Sequence, residues 1–228
     1  MLISAAEEKK MGEQAYQETL KKSKLSTDPE KLSTLRQVGY RLAKAANKPD
    51  FQWEFNLIEE DKTINAWCLP GGKVAVYTGI WPVMKDADGL AVVLGHEISH
   101  ALARHGAERM SQGLIANGAG QVLGAFVGAS PQNQQVFNQA YGLGVGLGVM
   151  LPYGRKQESE ADHIGLILMA KAGYDPHKAL EFWLRMEKVT GGKGGTLERY
   201  LSDHPINADR EKQIEGWIPE AMQYYKAP

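Results

Sequence analysis

The sequence predicts an α+β domain that is predominantly helical and contains a small antiparallel sheet. Apolar residues recur at helical spacing in 5–23 and 28–46, and again from 156 onwards. Between these segments, 51–58 alternates between apolar and polar residues as a strand does, and 73–79 is rich in Val and Tyr. Because helices precede and follow the strands instead of alternating with them, the order favours α+β over α/β.

The chain is long enough for one core, since it has 228 residues of which 43% are hydrophobic. We therefore expect a single domain over 1–228. Its expected parts are N-terminal helices in 1–50, a small sheet in 51–80, a helix in 86–110, an apolar glycine-rich hairpin in 113–151 and C-terminal helices in 156–228.

Several of these elements have recognisable ends. The second helix opens at Asp28-Pro29, a capping side chain followed by a residue suited to the first turn. Asp86-Ala87-Asp88 offers a cap and an acidic first turn to the helix in 86–110. Pro70-Gly71-Gly72 is a turn that would join two strands into a hairpin.

Composition excludes several classes of protein. The net charge is −1 and no basic block is present, so we do not expect nucleic-acid binding. A single cysteine, Cys68, excludes an internal disulfide framework and a cysteine-rich zinc site. The first residues show no signal peptide, and no run reaches the roughly 18 apolar residues of a membrane span.

The ranges 113–130 and 140–151 are unusually apolar and rich in glycine. One interpretation, which we favour, is a closely packed helical hairpin in the core. The other is a hairpin that lies against a membrane or covers the site and gates access to it.

The run His96-Glu97-Ile98-Ser99-His100 contains candidate residues for metal binding and catalysis. On a helix, His96 and His100 project from one face and can bind one zinc ion, with Glu97 placed beside the metal as a general base. The alternative is an ordinary helix with two surface histidines, since a random match is expected about once per hundred shuffled chains. Apolar residues at helical spacing around the run favour a buried helix and therefore the zinc site.

A catalytic zinc takes three protein ligands, so a third must come from another element. The candidates are His163, His177, His204 and the acidic cluster in 158–162. Glu158 and Asp162 in that cluster share one helix face, so one could bind zinc while the other orients a ligand histidine. A solvated acidic first turn, favoured by the helix dipole, explains the cluster equally well.

The two motifs together resemble the gluzincin zinc metalloproteases, the family of HtpX, the CAAX prenyl proteases, BepA and the mitochondrial overlapping-activity protease. The resemblance rests on His-Glu-x-x-His at 96–100 and Glu158-Ser159-Glu160-Ala161-Asp162. It extends to Asn65-Ala66-Trp67-Cys68-Leu69-Pro70-Gly71-Gly72 and to Asp203-His204-Pro205, and so covers 65–210. It implies a zincin-like catalytic domain with one Zn²⁺ per chain, whose third ligand is Glu158 and whose Asp162 supports the site.

The implied activity is a zinc-dependent endopeptidase in which Glu97 takes a proton from a zinc-activated water. His204 is the candidate partner for the oxyanion, with Arg210 nearby in sequence. His204 could instead occupy the open position of the zinc, which would leave a latent or chaperone-like protein-binding module. His105, His163 and His177 are expected to be structural or exposed.

We expect the substrate to lie as an extended strand along an edge formed by 72–77, which would give broad specificity for unfolded or misassembled proteins. The residues of this edge are Gly72, Lys73, Val74, Ala75, Val76 and Tyr77. Polypeptide substrates are the expected partners, with peripheral membrane or envelope-complex contact through 113–151. The resemblance implies a bacterial cell envelope location, periplasmic or membrane-associated, and composition leaves a cytoplasmic one open.

Overall fold

The structure is a computed structural model, and it describes residues 1–116, 131–141, 143, 153–190, 204 and 208–226. The described elements are, in chain order, α1 (Ala5–Lys22), α2 (Pro29–Ala46), β1 (Glu54–Ile58), β2 (Ala66–Leu69), β3 (Lys73–Tyr77), a 3₁₀ turn (Thr78–Ile80), α3 (Trp81–Met84), α4 (Ala87–Ala103), α5 (His105–Ala116), α6 (Pro131–Ala140), α7 (Arg155–Lys171), α8 (His177–Thr190) and α9 (Ala208–Met222). The predicted class, a predominantly helical α+β domain, is confirmed.

The sheet has the order β1-β3-β2. β2 and β3 form the predicted antiparallel hairpin, with Trp67 opposite Ala75, whereas β1 runs parallel to β3, with Phe55 beside Val74. The sheet is therefore mixed and not purely antiparallel. The hairpin turn needs two glycines, since Gly71 has φ +91° and Gly72 has φ +85°.

The prediction that 72–77 forms an edge strand is wrong. β3 is the central strand, and its backbone pairs with β1 on one side and with β2 on the other. Alternation and turn residues place a strand in a hairpin, but they do not show that an earlier segment will pair with its other side. The outer strands of the described sheet are β1 and β2, and of these β2 lies against α4.

Capping side chains fix the helix ends that the sequence indicated. The Asp28 carboxylate accepts hydrogen bonds from the backbone N–H groups of Glu30 and Lys31, each at 3.1 Å. Asp86 caps α4 by accepting from the Gly89 N–H at 2.9 Å. At the start of α1, Ser4 and Glu7 form a reciprocal capping box.

α4 lies at the centre of the molecule, and every residue from Gly89 to Ala101 is buried. One face of the sheet packs with α2, α4, α7 and α8 in the larger core, which includes Leu42, Val76 and Ile98. The opposite face packs with α1, α5 and α6 around Tyr16. A helix buried on all sides explains the continuous apolar character of this segment.

The helix predicted over 86–110 is broken at Arg104. This residue has φ +59°, a left-handed conformation, and it separates α4 from α5. Its side chain donates to the buried Glu8 carboxylate at 2.7 Å and to the Ile3 carbonyl at 2.9 Å. The contacts attach the N-terminal segment and stabilise a conformation that a non-glycine residue seldom adopts.

The predicted hairpin over 113–151 lies mostly outside the described residues. Within it the structure describes α6, which packs through Phe137 against the core around Tyr16. Across the described ranges, none of the helices combines the length and apolarity that crossing a membrane requires.

Candidate metal centre

α4 and α7 carry the two motifs and cross at an unusually short distance. A Cβ atom placed on Gly165 would lie 3.1 Å from both the Gly95 carbonyl carbon and the His96 backbone nitrogen. Because neither glycine has a side chain, the backbones touch. The crossing brings the middle of the His-Glu-x-x-His helix against the middle of α7, two turns after Glu158.

The three predicted ligands meet at this crossing. His96 Nε2 lies 3.0 Å from His100 Nε2 and 3.5 Å from Glu158 Oε2, and His100 Nε2 lies 3.2 Å from Glu158 Oε1. Donor atoms around a tetrahedral zinc with bonds of 2.0–2.2 Å are about 3.3–3.5 Å apart. The separations are therefore close to those that a zinc ion requires.

The chemistry of the donor set also fits a cation. Asp162 Oδ1 lies 2.9 Å from His96 Nδ1 and can only accept, so Nδ1 carries a proton, and in the neutral imidazole Nε2 directs its lone pair at the cluster. Glu158 Oε2 is buried and accepts no hydrogen bond among the described residues, although Arg210 Nη1 lies 3.0 Å away. Lone pairs that converge in a buried place repel each other unless a cation lies among them.

His204 joins the same cluster as a fourth donor. Its Nδ1 lies 3.1 Å from His96 Nε2 and 3.1 Å from Glu158 Oε1. The four candidate ligand atoms lie within 4.8 Å of one another, and all four residues are buried. The other ring nitrogen, Nε2, lies 3.6 Å from Glu97 Oε1, so His204 connects the donor cluster with the predicted base.

Arg210 lies behind the ligands. It donates through Nη2 to Asp162 Oδ1 at 2.8 Å and through Nε to Asp162 Oδ2. Its guanidinium carbon lies 4.0 Å from the ring centre of Trp183, which covers one face. Arg210 thus contacts two carboxylates of the site, those of Glu158 and Asp162.

Burial and neighbouring charge shift the pKa values of these groups in opposite directions. Burial favours the neutral form of His96, but the charge of Glu158 and the hydrogen bond with Asp162 outweigh it and raise its pKa to about 9. Burial dominates at His100, whose pKa falls well below its usual value. Burial would raise the pKa of Glu158, yet the neighbouring histidines hold it well below its usual range. The carboxylate of Glu158 therefore stays ionised where a cation would bind.

Two further residues support the ligands: His105, which the sequence analysis expected to be structural or exposed, and Tyr153, which it did not single out. His105 Nδ1 lies 2.9 Å from His100 Nδ1, and its other nitrogen lies 3.3 Å from Glu160 Oε2. The ring of Tyr153 stacks on His100 with 3.9 Å between ring centres. No spacing in the sequence indicated Tyr153, which lies 53 positions after His100 and outside both motifs. His163, in contrast, lies at the surface beside Glu220.

A small cleft opens beside the donor cluster. One wall is the main chain and side chains of Asn65 to Cys68, which include most of β2. The other residues that line it are Glu97, Arg109, Tyr141, Tyr153 and His204. The predicted substrate residues 72–77 are absent from this lining, which agrees with the central position of β3.

Comparison with known proteins identifies similar sequences. The profile described as "Peptidase family M48" matches residues 29–218. The chain is 37% identical over 224 residues to the mitochondrial metalloendopeptidase OMA1 of Schizosaccharomyces pombe, which covers 96% of this chain and 64% of that protein. It is 32% identical over 214 residues to the β-barrel assembly-enhancing protease of Escherichia coli, covering 91% of this chain and 43% of the relative. The human metalloendopeptidase OMA1 is 30% identical over 187 residues, covering 75% and 33%. The chain therefore spans less than two thirds of the length of each of these relatives.

Proposed function

The chain belongs to peptidase family M48, and from this premise we propose that it is a zinc-dependent endopeptidase acting on unfolded or misassembled polypeptides. The observation that carries the proposal is the position of Glu97. Its carboxylate lines the cleft, is attached to the same helix turn as His96 and His100, and lies 3.6 Å from His204 Nε2. A base, a set of metal donors and an opening for a substrate thus occur in one place.

His96, His100 and Glu158 would hold the zinc. When bound, the ion supplies a Lewis acid that polarises the peptide carbonyl and lowers the pKa of a water molecule towards neutrality. The three side chains come from two helices whose backbones touch, so the donor positions are rigid before any metal binds. Such preorganisation is what a catalytic metal site requires.

Glu97 would accept the proton of the attacking water and pass it to the amine that leaves. It is buried, with only 3% of its surface exposed, yet it faces the cleft. Exclusion of bulk water strengthens its interaction with a substrate and keeps the transferred proton local.

Asp162 and Arg210 act as positioning residues in this proposal. Asp162 fixes the proton of His96 on Nδ1 and so leaves Nε2 free to bind metal. Arg210 in turn holds the Asp162 carboxylate through two N–H groups. The burial of Asp162 would raise its pKa, but the charge of Arg210 keeps the pKa below its usual value, and the carboxylate stays ionised.

The substrate would pair with β2 instead of the strand that the sequence suggested. Among the described strands, β2 pairs only with β3, and residues 65–68 line the cleft next to Glu97. An extended peptide added to this edge would place its main chain across the donor cluster. Because pairing of this kind uses the backbone, the sequence specificity would be broad and unfolded chains would be preferred.

A second candidate function is a latent or chaperone-like protein-binding module. The observation that favours it is the position of His204, whose Nδ1 lies as close to the other donors as they lie to one another. In this arrangement four side chains would fill a tetrahedral coordination sphere and leave no place for a water. His204 would then have to move before the enzyme can act.

The relatives also suggest where the protein works. The name of the yeast relative places it in mitochondria, and the name of the Escherichia coli relative connects it with β-barrel assembly. We propose a bacterial cell envelope location with substrates drawn from that compartment.

The range 113–151 would flank the cleft, since Tyr141 and Tyr153, which precede and follow 142–152, both line it.

The proposed activity is tested with casein as an unfolded substrate. We expect cleavage that a chelator abolishes and that one equivalent of zinc restores, with zinc content measured in parallel. Equal cleavage before and after removal of the metal would overturn the proposal. Binding of casein without cleavage, at full zinc occupancy, would favour the protein-binding module.

A further inference from the structure

Arg109, on α5, is a buried cation in the wall of the cleft. Only 3% of its surface is exposed, and it lines the same opening as Glu97 and His204. Its guanidinium lies over the ring of Tyr153, with 3.9 Å from the guanidinium carbon to the ring centre. Since Tyr153 stacks on His100, Arg109 is one aromatic ring away from a proposed zinc ligand.

Arg109 has no carboxylate partner within 4.0 Å in the part of the chain that the structure describes. Two other arginines that are buried or partly buried differ in this respect, since Arg104 pairs with Glu8 and Arg210 pairs with Asp162. Arg109 Nε donates to no acceptor among the described residues, and Nη2 donates only a long bond of 3.5 Å to the Gln139 carbonyl. Residues 110–154 contain no Asp or Glu, so this long range cannot supply a counter-ion.

Burying a guanidinium with an N–H group that makes no hydrogen bond costs folding free energy. Such a residue is therefore a candidate for binding a ligand. Tyr153 covers one face of the group, which leaves the in-plane N–H edge as the direction in which it can bind. That edge has the geometry of a fork and matches the two oxygens of a carboxylate. The N–H edge of Arg109 is therefore suited to bind an anion with two oxygens.

We propose that Arg109 binds a carboxylate of the substrate and makes the peptidase select it near the bond that is cleaved. This inference rests on the proposed function and adds a specificity determinant to it. An acidic side chain within one or two residues of the bond would reach Arg109, because an extended chain advances about 3.3–3.6 Å per residue. The free carboxylate at a chain end offers the same chemistry from a second source.

The test measures peptide binding in the full chain carrying Glu97→Gln, so that no peptide is consumed. The probes are fluorescent, amidated decapeptides of Ala, Gly and Leu. Each first pair contains one Glu or one Gln at the same position, and this position is varied through the centre of the peptide. A second pair contains Gln only and ends in a carboxylate or an amide. We expect the carboxylate form of one pair to bind about tenfold more tightly, which identifies the source.

Adding Arg109→Met is expected to reduce this ratio to about one. The change removes a charge that has no counter-ion in the described part of the chain and so orphans no carboxylate there. Arg109→Lys keeps the charge without the fork and is expected to retain part of the preference. Arg36→Gln, on the exposed face of α2, is the matched control and is expected to leave the ratio unchanged.

Equal affinities for both pairs of peptides would overturn the inference. A preference that persists in the Arg109→Met chain would overturn it as well. Because binding is measured in the inactive chain, failure of the proposed function gives a different result. If the protein were not a peptidase, the wild type would bind these peptides with the same preference but cleave none of them.

Discussion

Gly95 on α4 and Gly165 on α7 touch backbone to backbone, and this contact sets the separation of the two halves of the metal centre. The residue after Gly95 is His96, and Glu158 lies two turns before Gly165 on the same helix. A side chain at either glycine would push apart the helices that carry the donors. The short crossing, and not the motif alone, therefore brings the ligands within reach of one ion.

The first prediction concerns this contact. Gly165→Ala places a methyl group 3.1 Å from the backbone of the neighbouring helix, where only a helix shift can accommodate it. We expect a loss of about 1–3 kcal/mol in the free energy of unfolding and weaker zinc binding. Chemical denaturation and zinc competition measure the two effects.

Gly216→Ala is the matched control for that change. It lies in α9, where an added Cβ meets no atom within 4 Å. We expect it to be neutral or to stabilise by about 0.5–1 kcal/mol, because alanine favours a helix over glycine. A destabilisation as large as that of Gly165→Ala would refute the role of the close crossing.

The second prediction tests the residue behind His96. Asp162→Asn replaces an acceptor by a group that can present either an N–H or an oxygen to His96 Nδ1, so the imidazole is no longer held in one tautomer. We expect zinc affinity to fall about 10–100-fold with little change in fold, since supporting partners of metal ligands have effects of this size. Competition with a fluorescent zinc chelator measures it.

Asp61→Asn, in an exposed loop, is the control for this substitution and is expected to keep the wild-type affinity. An Asp162→Asn chain that binds zinc as tightly as the wild type would show that the hydrogen bond to His96 does not orient the ligand.

The third prediction decides between the two roles of His204. Because its Nδ1 lies 3.1 Å from two proposed ligand atoms, we expect His204→Ala to open the coordination sphere and to raise casein cleavage several-fold. The zinc content is expected to stay at one ion per chain, held by the remaining three ligands. A tenfold or greater loss of cleavage would instead assign His204 to stabilisation of the transition state.

The fourth prediction concerns Cys68 on β2. Burial, with a smaller contribution from the charge of Glu97, raises the pKa of the thiol well above its usual value. The thiolate is the reactive form, so raising the pH from 7 to 9 ionises the thiol in the unfolded chain but leaves it neutral in the folded one. We expect alkylation of the folded protein to stay slow over this range, and fast alkylation at pH 8 would contradict the buried position of β2.

Local chemistry made part of this fold predictable. Asp28 and Asp86 cap helices as their positions indicated, and the spacing of His96 and His100 was sufficient to place both on one face. Such features depend on neighbours within a few residues, and a sequence displays them directly.

Long-range pairing was not predictable in the same way. The parallel pairing of β1 with β3 joins segments whose individual patterns fit an outer strand equally well. It makes β3 the central strand, so the proposed substrate edge becomes β2. The break at Arg104 depends on its contact with Glu8, 96 positions earlier in the chain. Arg109 gave no signal in the sequence, because its significance lies in the absence of a carboxylate around it among the described residues.

The central claim is that Glu97 drives hydrolysis at a zinc ion held by His96, His100 and Glu158. The most direct measurement compares casein cleavage by the wild type and by Glu97→Gln at equal zinc content, with unfolding followed to show that both are folded. We expect Glu97→Gln to keep one zinc per chain and to lose about 10²–10⁴-fold in rate, the usual contribution of a general base. Cleavage by the zinc-loaded Glu97→Gln chain at the wild-type rate would contradict the account.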